Sequence, residues 1–191
     1  MTEATAGIGL RILEVAKARD ALMFGEFKLS SGGTSRYYFD GRLLTLSPEG
    51  ANLVAQALLP AVRESGADAV GGPTLGADPM VTALAMLSGQ DGGRPLPAFI
   101  VRKESKGHGM GKMIEGPLKP GSKVAIVDDA CSTAASLYHA IEAVESDGHQ
   151  VVLVASIIDR HQGGSDRLRK DGYAFYAVLE GDADGNVRPV E

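Results

Sequence analysis

The sequence contains no tryptophan and a single cysteine in 191 residues. Cys131 alone excludes an intramolecular disulfide and any zinc site built wholly of thiolates. No apolar run approaches the ~18 residues of a membrane span, and no secretory leader precedes the first helical pattern. The expectation is a soluble, cytoplasmic protein with no membrane partner. Five Phe and five Tyr are the whole aromatic complement, few for a surface that stacks single-stranded bases. Positive charge is not in excess: 19 Lys and Arg face 24 Asp and Glu, a net charge of −5. That excludes an electrostatic nucleic-acid binder. His139, His149 and His161 lack a metal-binding spacing. What is plentiful is apolar surface, 44% of residues, enough for one domain with a real core.

Periodicity supplies the elements. Ile8, Ile12, Val15 and Leu22 fall on one helical face. Ser47 as N-cap and Pro48 at the first helical position open a second helix. Its stripe is Val54, Leu58 and Val62, and Gly66 ends it. Residues 67–71 read as a strand and 79–87 as a helix. Apolar, β-branched runs at 98–101, 123–127 and 151–158 read as strands. Residues 136–146 are helical, with Gly148 at the end; 166–170 form a short helix and 173–179 a last strand. This alternation predicts an α/β fold with a mostly parallel sheet covered on both faces.

Four places can carry chemistry. Residues 123–136 run as a strand, then Asp128 and Asp129, then Ala130, Cys131, Ser132, Thr133, Ala134, Ala135 and Ser136 into a helix. Paired carboxylates repel phosphate but suit hydroxyls or a divalent cation. A turn of small residues entering a helix offers free N–H groups to an anion. A sugar phosphate satisfies both halves; the plainer reading is a strand-to-helix connection with capping acids. Second, residues 102–112 bring Arg102, Lys103, Lys106, His108 and Lys112 together with three glycines. Such a basic, glycine-rich loop suits a lid over a polyphosphate, or is simply a solvated charged loop. Third, Ser30-Ser31-Gly32-Gly33 joins two strand-like pieces, and Tyr37, Tyr38 and Phe39 either flank a flat base or pack in the core. Fourth, Arg160 follows the 151–158 strand, where it can grip a carboxylate or carbonyl pair, or pair with Asp159 or Asp166. The run Gly71-Gly72-Pro73-Thr74-Leu75-Gly76-Ala77 also follows a strand, and its backbone can approach a pyrophosphate closely.

In this order the four pieces resemble the orotate phosphoribosyltransferases of the type I phosphoribosyltransferase family, over residues 27–164. The resemblance rests on Leu-Ser-Ser-Gly…Tyr-Tyr-Phe-Asp, Gly-Gly-Pro-Thr-Leu-Gly-Ala, Arg-Lys-Glu-x-Lys-x-His-Gly and Val-Asp-Asp. It implies one phosphoribosyltransferase domain over 1–191, with an N-terminal helix and base-pocket hood at 1–45, a sheet core at 46–191 and a lid loop at 103–115. It implies transfer of the phosphoribosyl group of 5-phosphoribosyl 1-diphosphate (PRPP) to orotate, with pyrophosphate released. Lys106, His108, Asp128 and Asp129 are the implied catalytic residues. Arg102, Lys103, Lys106, His108, Leu75, Gly76, Asp128, Asp129 and residues 130–136 would bind PRPP. Ser132, Arg160, Tyr38 and Phe39 would contact orotate. Mg²⁺ would arrive on the diphosphate without a firm protein ligand. Family members are homodimers whose lid reaches into the neighbour's site.

Two departures stand out. The family's phosphate turn usually reads Thr-Thr-Gly-Gly-Ser, whereas Ala134 and Ala135 stand here, at a cost of roughly 1–2 kcal/mol if either takes positive φ. Ser30 stands where many members carry Lys. A subgroup of the family also has Ser there, so the alanine turn is what motivates one alternative, a PRPP-binding sensor with weak catalysis; the other alternative is a phosphoribosyltransferase for another base, which Arg160 discriminates. A helix N-terminus beside Cys131 could lower that thiol's pKa, but the plainer reading is a small buried residue, and it is assigned no role.

Overall fold

The computed structural model describes residues 3–28, 34–104 and 112–190. The chain opens with α1 (Glu3–Ala18), a hairpin of β1 (Leu22–Lys28) and β2 (Thr34–Phe39), then α2 (Gly41–Thr45) and α3 (Pro48–Glu64). It continues through β3 (Ala69–Pro73), α4 (Asp78–Gln90), β4 (Ala98–Val101), β5 (Ile114–Glu115) and β6 (Lys123–Cys131). The last elements are α5 (Ala135–Ser146), β7 (Gln150–Asp159), α6 (Gly164–Lys170), β8 (Phe175–Gly181) and β9 (Val187–Pro189).

The predicted cap of α3 forms: the Ser47 side chain accepts a hydrogen bond from Gly50 N, and Pro48 sits in the first turn. Val54, Leu58 and Val62 are buried on its inner face. Leu22 is a correction. It opens β1 instead of extending the first helix, because Asp20 takes a left-handed backbone (φ 55°) that breaks the helical path. The acid pair is another. The strand predicted to end at residue 127 runs on to Cys131, because β7 continues beside it and pairs Asp128 with Ser156 and Cys131 with Asp159.

The large sheet has the order β5-β4-β3-β6-β7-β8-β9. The five strands from β4 to β8 run parallel, and β5 and β9 are antiparallel edges. Alternation along β6 divides the core: Ala125 and Val127 pack with residues of α1, α3 and α4, while Val124 and Ile126 pack with Leu137, Ile141 and Val144 of α5 and Leu168 of α6. Both faces are therefore covered, and the strands read as continuous apolar runs. From β3 the chain moves outward to β4, then returns on the other side of β3 as β6. That reversal creates a crevice at the carboxyl ends of β3 and β6, where open parallel sheets bind ligands.

Candidate active site

The crevice is floored by Asp128 and Asp129 at the end of β6. Asp128 is 6% exposed. Its Oδ1 accepts from Asp129 N at 2.9 Å and its Oδ2 from Ser136 Oγ at 2.7 Å. Burial first, then the charge of Asp129, pushes the Asp128 carboxyl well up, to about 7. Asp129 is also raised, by burial and then by Asp40, with the Ala130 backbone and Arg42 pulling the other way. Two adjacent carboxyls in one dry crevice cannot both ionise freely, so they titrate as a unit. Glycines let neighbouring segments reach them. A Cβ on Gly76 would lie 2.6 Å from Asp128 Oδ1 and 2.9 Å from Asp129 Oδ1; one on Gly41 would strike the Asp129 side chain.

The residues after the acids turn from the end of β6 into α5. Ser132 and Thr133 lie between β6 and α5, and α5 carries no side-chain cap and no acid in its first turn. Its leading N–H groups are thus unmatched by side chains and favour an anion. Ala134 stands at the N-cap with φ 61° and ψ 19°, in the left-handed region, while Ala135 is helical. One of the two alanines therefore carries the strain that glycine would avoid, about 1–2 kcal/mol. The turn is braced from behind: Gly164 N donates to Ser132 O at 2.9 Å, and a Cβ on Gly164 would meet Ser132 O at 2.5 Å and Ala134 N at 2.7 Å. The Ser136 hydroxyl is engaged by Asp128, linking cradle and acids. Cys131 contributes backbone alone: it is fully buried, and burial pushes its thiol up to about 12. The suggested lowering by the helix N-terminus is overturned, since desolvation outweighs it.

Across the crevice, the segment after β3 carries a cis peptide between Thr74 and Leu75. Leu75 is exposed and Gly76 half-buried. Arg102 follows β4. Its N donates to Met113 O, its O takes His139 Nε2 at 2.8 Å, and its guanidinium lies 3.5 Å from Glu115. Lys103 is exposed. Lys106, His108 and Ser30 lie outside the described residues.

Arg160 leaves β7 on the hairpin side of the crevice and donates from Nη2 to Ser35 Oγ at 3.2 Å. Neither Asp159 nor Asp166 pairs with it; Asp159 instead accepts from His161 N, and Asp166 lies 3.7 Å from Arg169. The aromatic trio is divided by strand alternation. Tyr37 and Phe39 are buried in the core, whereas Tyr38 is 38% exposed and packs on Phe27 at 5.7 Å. Tyr38 and Phe39 thus face opposite sides of β2 and cannot present both rings to one base. Tyr37, at 2% exposure, cannot flank a ligand either. Three features escaped the sequence reading: the Arg42 fork on Asp40 (2.9 and 2.8 Å) beside Asp129, the His139 tether, and Ser35. The Asp40-Gly41-Arg42 triplet was a usable signal, since an Asp before a short helix is an N-cap.

A family model described as the phosphoribosyl transferase domain matches residues 53–186. The chain is 44% identical over 154 residues to an orotate phosphoribosyltransferase of Aquifex aeolicus, covering 81% of this chain and 84% of that one. It is 43% identical over 178 residues to that of Rhodopirellula baltica, covering 90% and 92%. Among solved structures, a phosphoribosyltransferase from Corynebacterium diphtheriae superposes with a TM-score of 0.77 at 33% identity, covering 91% of this chain and 96% of that one. The Mycobacterium tuberculosis orotate phosphoribosyltransferase in complex with PRPP gives 0.71 at 28% identity, covering 94% and 90%.

Proposed function

Since the chain belongs to the phosphoribosyl transferase family, and within it to the orotate phosphoribosyltransferases, we propose how its own residues carry the reaction. The enzyme transfers the phosphoribosyl group of PRPP to orotate. A ring nitrogen of orotate forms a bond to C1 of the ribose as the C1–O bond to the diphosphate breaks and pyrophosphate leaves. Positive charge develops on the sugar at that moment.

The observation that carries the assignment is the buried acid pair at the end of β6, joined through Ser136 to the helix that opens the cradle. In our reading Asp128 and Asp129 take the ribose hydroxyls and face the cationic sugar. A carboxylate held in a dry site stabilises such charge far more than water does. Residues 130–136 receive the 5′-phosphate through N–H groups. Leu75 and Gly76 approach the diphosphate by backbone, and Arg102, Lys103, Lys106 and His108 neutralise it. Arg102 must leave Glu115 to do so. Ser132, Arg160 and the exposed Tyr38 meet orotate, with Phe39 supporting from the core side.

Mg²⁺ supplies charge neutralisation on the leaving diphosphate. Among the described residues no group of three or more His, Cys, Asp or Glu could hold a metal ion; in our reading the ion enters with the diphosphate. We read the whole chain, 1–191, as one domain: hood at 1–45, core at 46–191 and lid at 103–115. The Ser35–Arg160 bond supports a hood docked on the core. The active form is a homodimer in which each lid closes the neighbour's site. Its location is cytoplasmic; no helix among the described residues is long and apolar enough to cross a membrane.

The test is the loss of orotate's near-ultraviolet absorbance on mixing with PRPP, Mg²⁺ and the protein. The expected result is loss that requires all three, with pyrophosphate released in equal amount. No loss at any protein concentration would refute the activity.

A further inference from the structure

The mount of Arg160 is more elaborate than substrate contact requires. Its N donates to Cys131 O at 2.9 Å, which ties its backbone to the cradle strand. Its guanidinium carbon lies 5.0 Å from the centre of the Tyr37 ring. Its Nη2 donates to Ser35 Oγ, and Ser35 Oγ in turn donates to Tyr37 O at 2.7 Å. The buried Nε has no hydrogen-bond partner, nor does the buried Tyr37 hydroxyl. That hydroxyl abuts Gly181, where any Cβ would strike it. Tyr37 is therefore wedged between β8 and Arg160 by shape, and the Arg160 guanidinium also acts on its hydroxyl, opposing the rise that burial gives that group's pKa.

We propose that Tyr37 and Ser35 are positioning residues that aim Arg160 at the base, Tyr37 chiefly through its ring. The inference rests on the reading that Arg160 meets orotate. The ring face attracts the cation and blocks one side of it. Ser35 takes one of the two Nη2 hydrogens. What Ser35 leaves is the outer edge, Nη1 with the second Nη2 hydrogen. That edge is the fork that pairs with a carboxylate or two carbonyl oxygens. An unmounted arginine would have to give up its rotamer freedom on binding, so the mount strengthens orotate binding in particular. Because Ser35 and Tyr37 sit on the hairpin and Arg160 on the sheet, the mount also sets where the hood rests.

The experiment compares full-length Tyr37→Phe, Tyr37→Leu, Ser35→Ala and Arg160→Ala for kcat and for the KM of each substrate, with Mg²⁺ present. Tyr37→Leu should raise the orotate KM about tenfold and leave the PRPP KM unchanged. Tyr37→Phe, which keeps the ring, should recover most of that loss. Ser35→Ala should raise the orotate KM about threefold. The proposal is overturned if Tyr37→Phe falls with Tyr37→Leu, if both KM values rise together, or if neither moves. Should Tyr37→Leu fail to fold, Ser35→Ala decides: an unchanged orotate KM overturns the proposal. Arg160→Ala separates the two levels. No rise in its orotate KM refutes the contact itself; a large rise while Tyr37→Leu and Ser35→Ala stay silent refutes only the mount.

Discussion

Replacing Asp128 by Asn should make the protein more stable and nearly inactive. Asp128 is buried, and its carboxyl titrates near 7 instead of about 3.9. The folded state holds the proton more tightly than the unfolded chain, so stability falls as pH rises between those two values and stays low above them. The full gap corresponds to about 4 kcal/mol. Asp129 shares the burden, and Asn brings its own amide into the crevice, so about 2–4 kcal/mol is expected at pH 9. Near pH 4 the wild-type carboxyl is already neutral and the gain should vanish. Asn Oδ1 can still accept from Asp129 N, and its amide N–H can donate to Ser136 Oγ once that hydroxyl rotates, so neither group is stranded. Turnover should fall at least about a hundredfold, because the charge facing the cationic sugar is gone. Urea unfolding at pH 4, 7 and 9 beside the orotate absorbance assay reads both effects. An Asn variant no more stable than wild type at pH 9, or equally stabilised at every pH, would refute the reasoning.

Three further outcomes follow from the same geometry. Gly76→Ala should cost at least about a hundredfold in kcat while leaving the fold intact, since its methyl displaces the Asp128 and Asp129 oxygens; steady-state kinetics with a melting curve checks this, and full activity would contradict it. At position 134, Val should cost about 2 kcal/mol or more in urea unfolding because a β-branched residue resists positive φ. Gly there should stay within about 1 kcal/mol of wild type, as relief of strain is offset by the lost methyl and the looser unfolded chain. Mixing inactive Lys106→Ala and Asp128→Asn chains should restore about a quarter of wild-type activity if the lid serves the neighbouring site; no recovery after subunit exchange would refute lid sharing.

Local chemistry was legible wherever neighbours in sequence suffice. Ser47 and Pro48 start a helix, Gly66 and Gly148 end helices, and Val54, Leu58 and Val62 mark a buried stripe, because caps and periodicity act within a few residues. The acid pair and the small-residue turn into α5 were legible too, since nine consecutive residues carry them. Four matters needed the tertiary structure. Strand β6 runs through the acids because β7 pairs with it. Ala134 is left-handed because its turn is clamped between Gly164 and α5. Cys131 is an inert thiol because the sheet and α5 exclude water from it. Arg160 turns to Ser35, 125 residues earlier in the chain, and not to its sequence neighbour Asp159. Register, burial and partner choice belong to segments brought together only by folding, so no local pattern encodes them. The sequence by itself determined the elements, the acid pair with its small-residue turn, and the family; the tertiary structure decided which side chains face the crevice and with what charge.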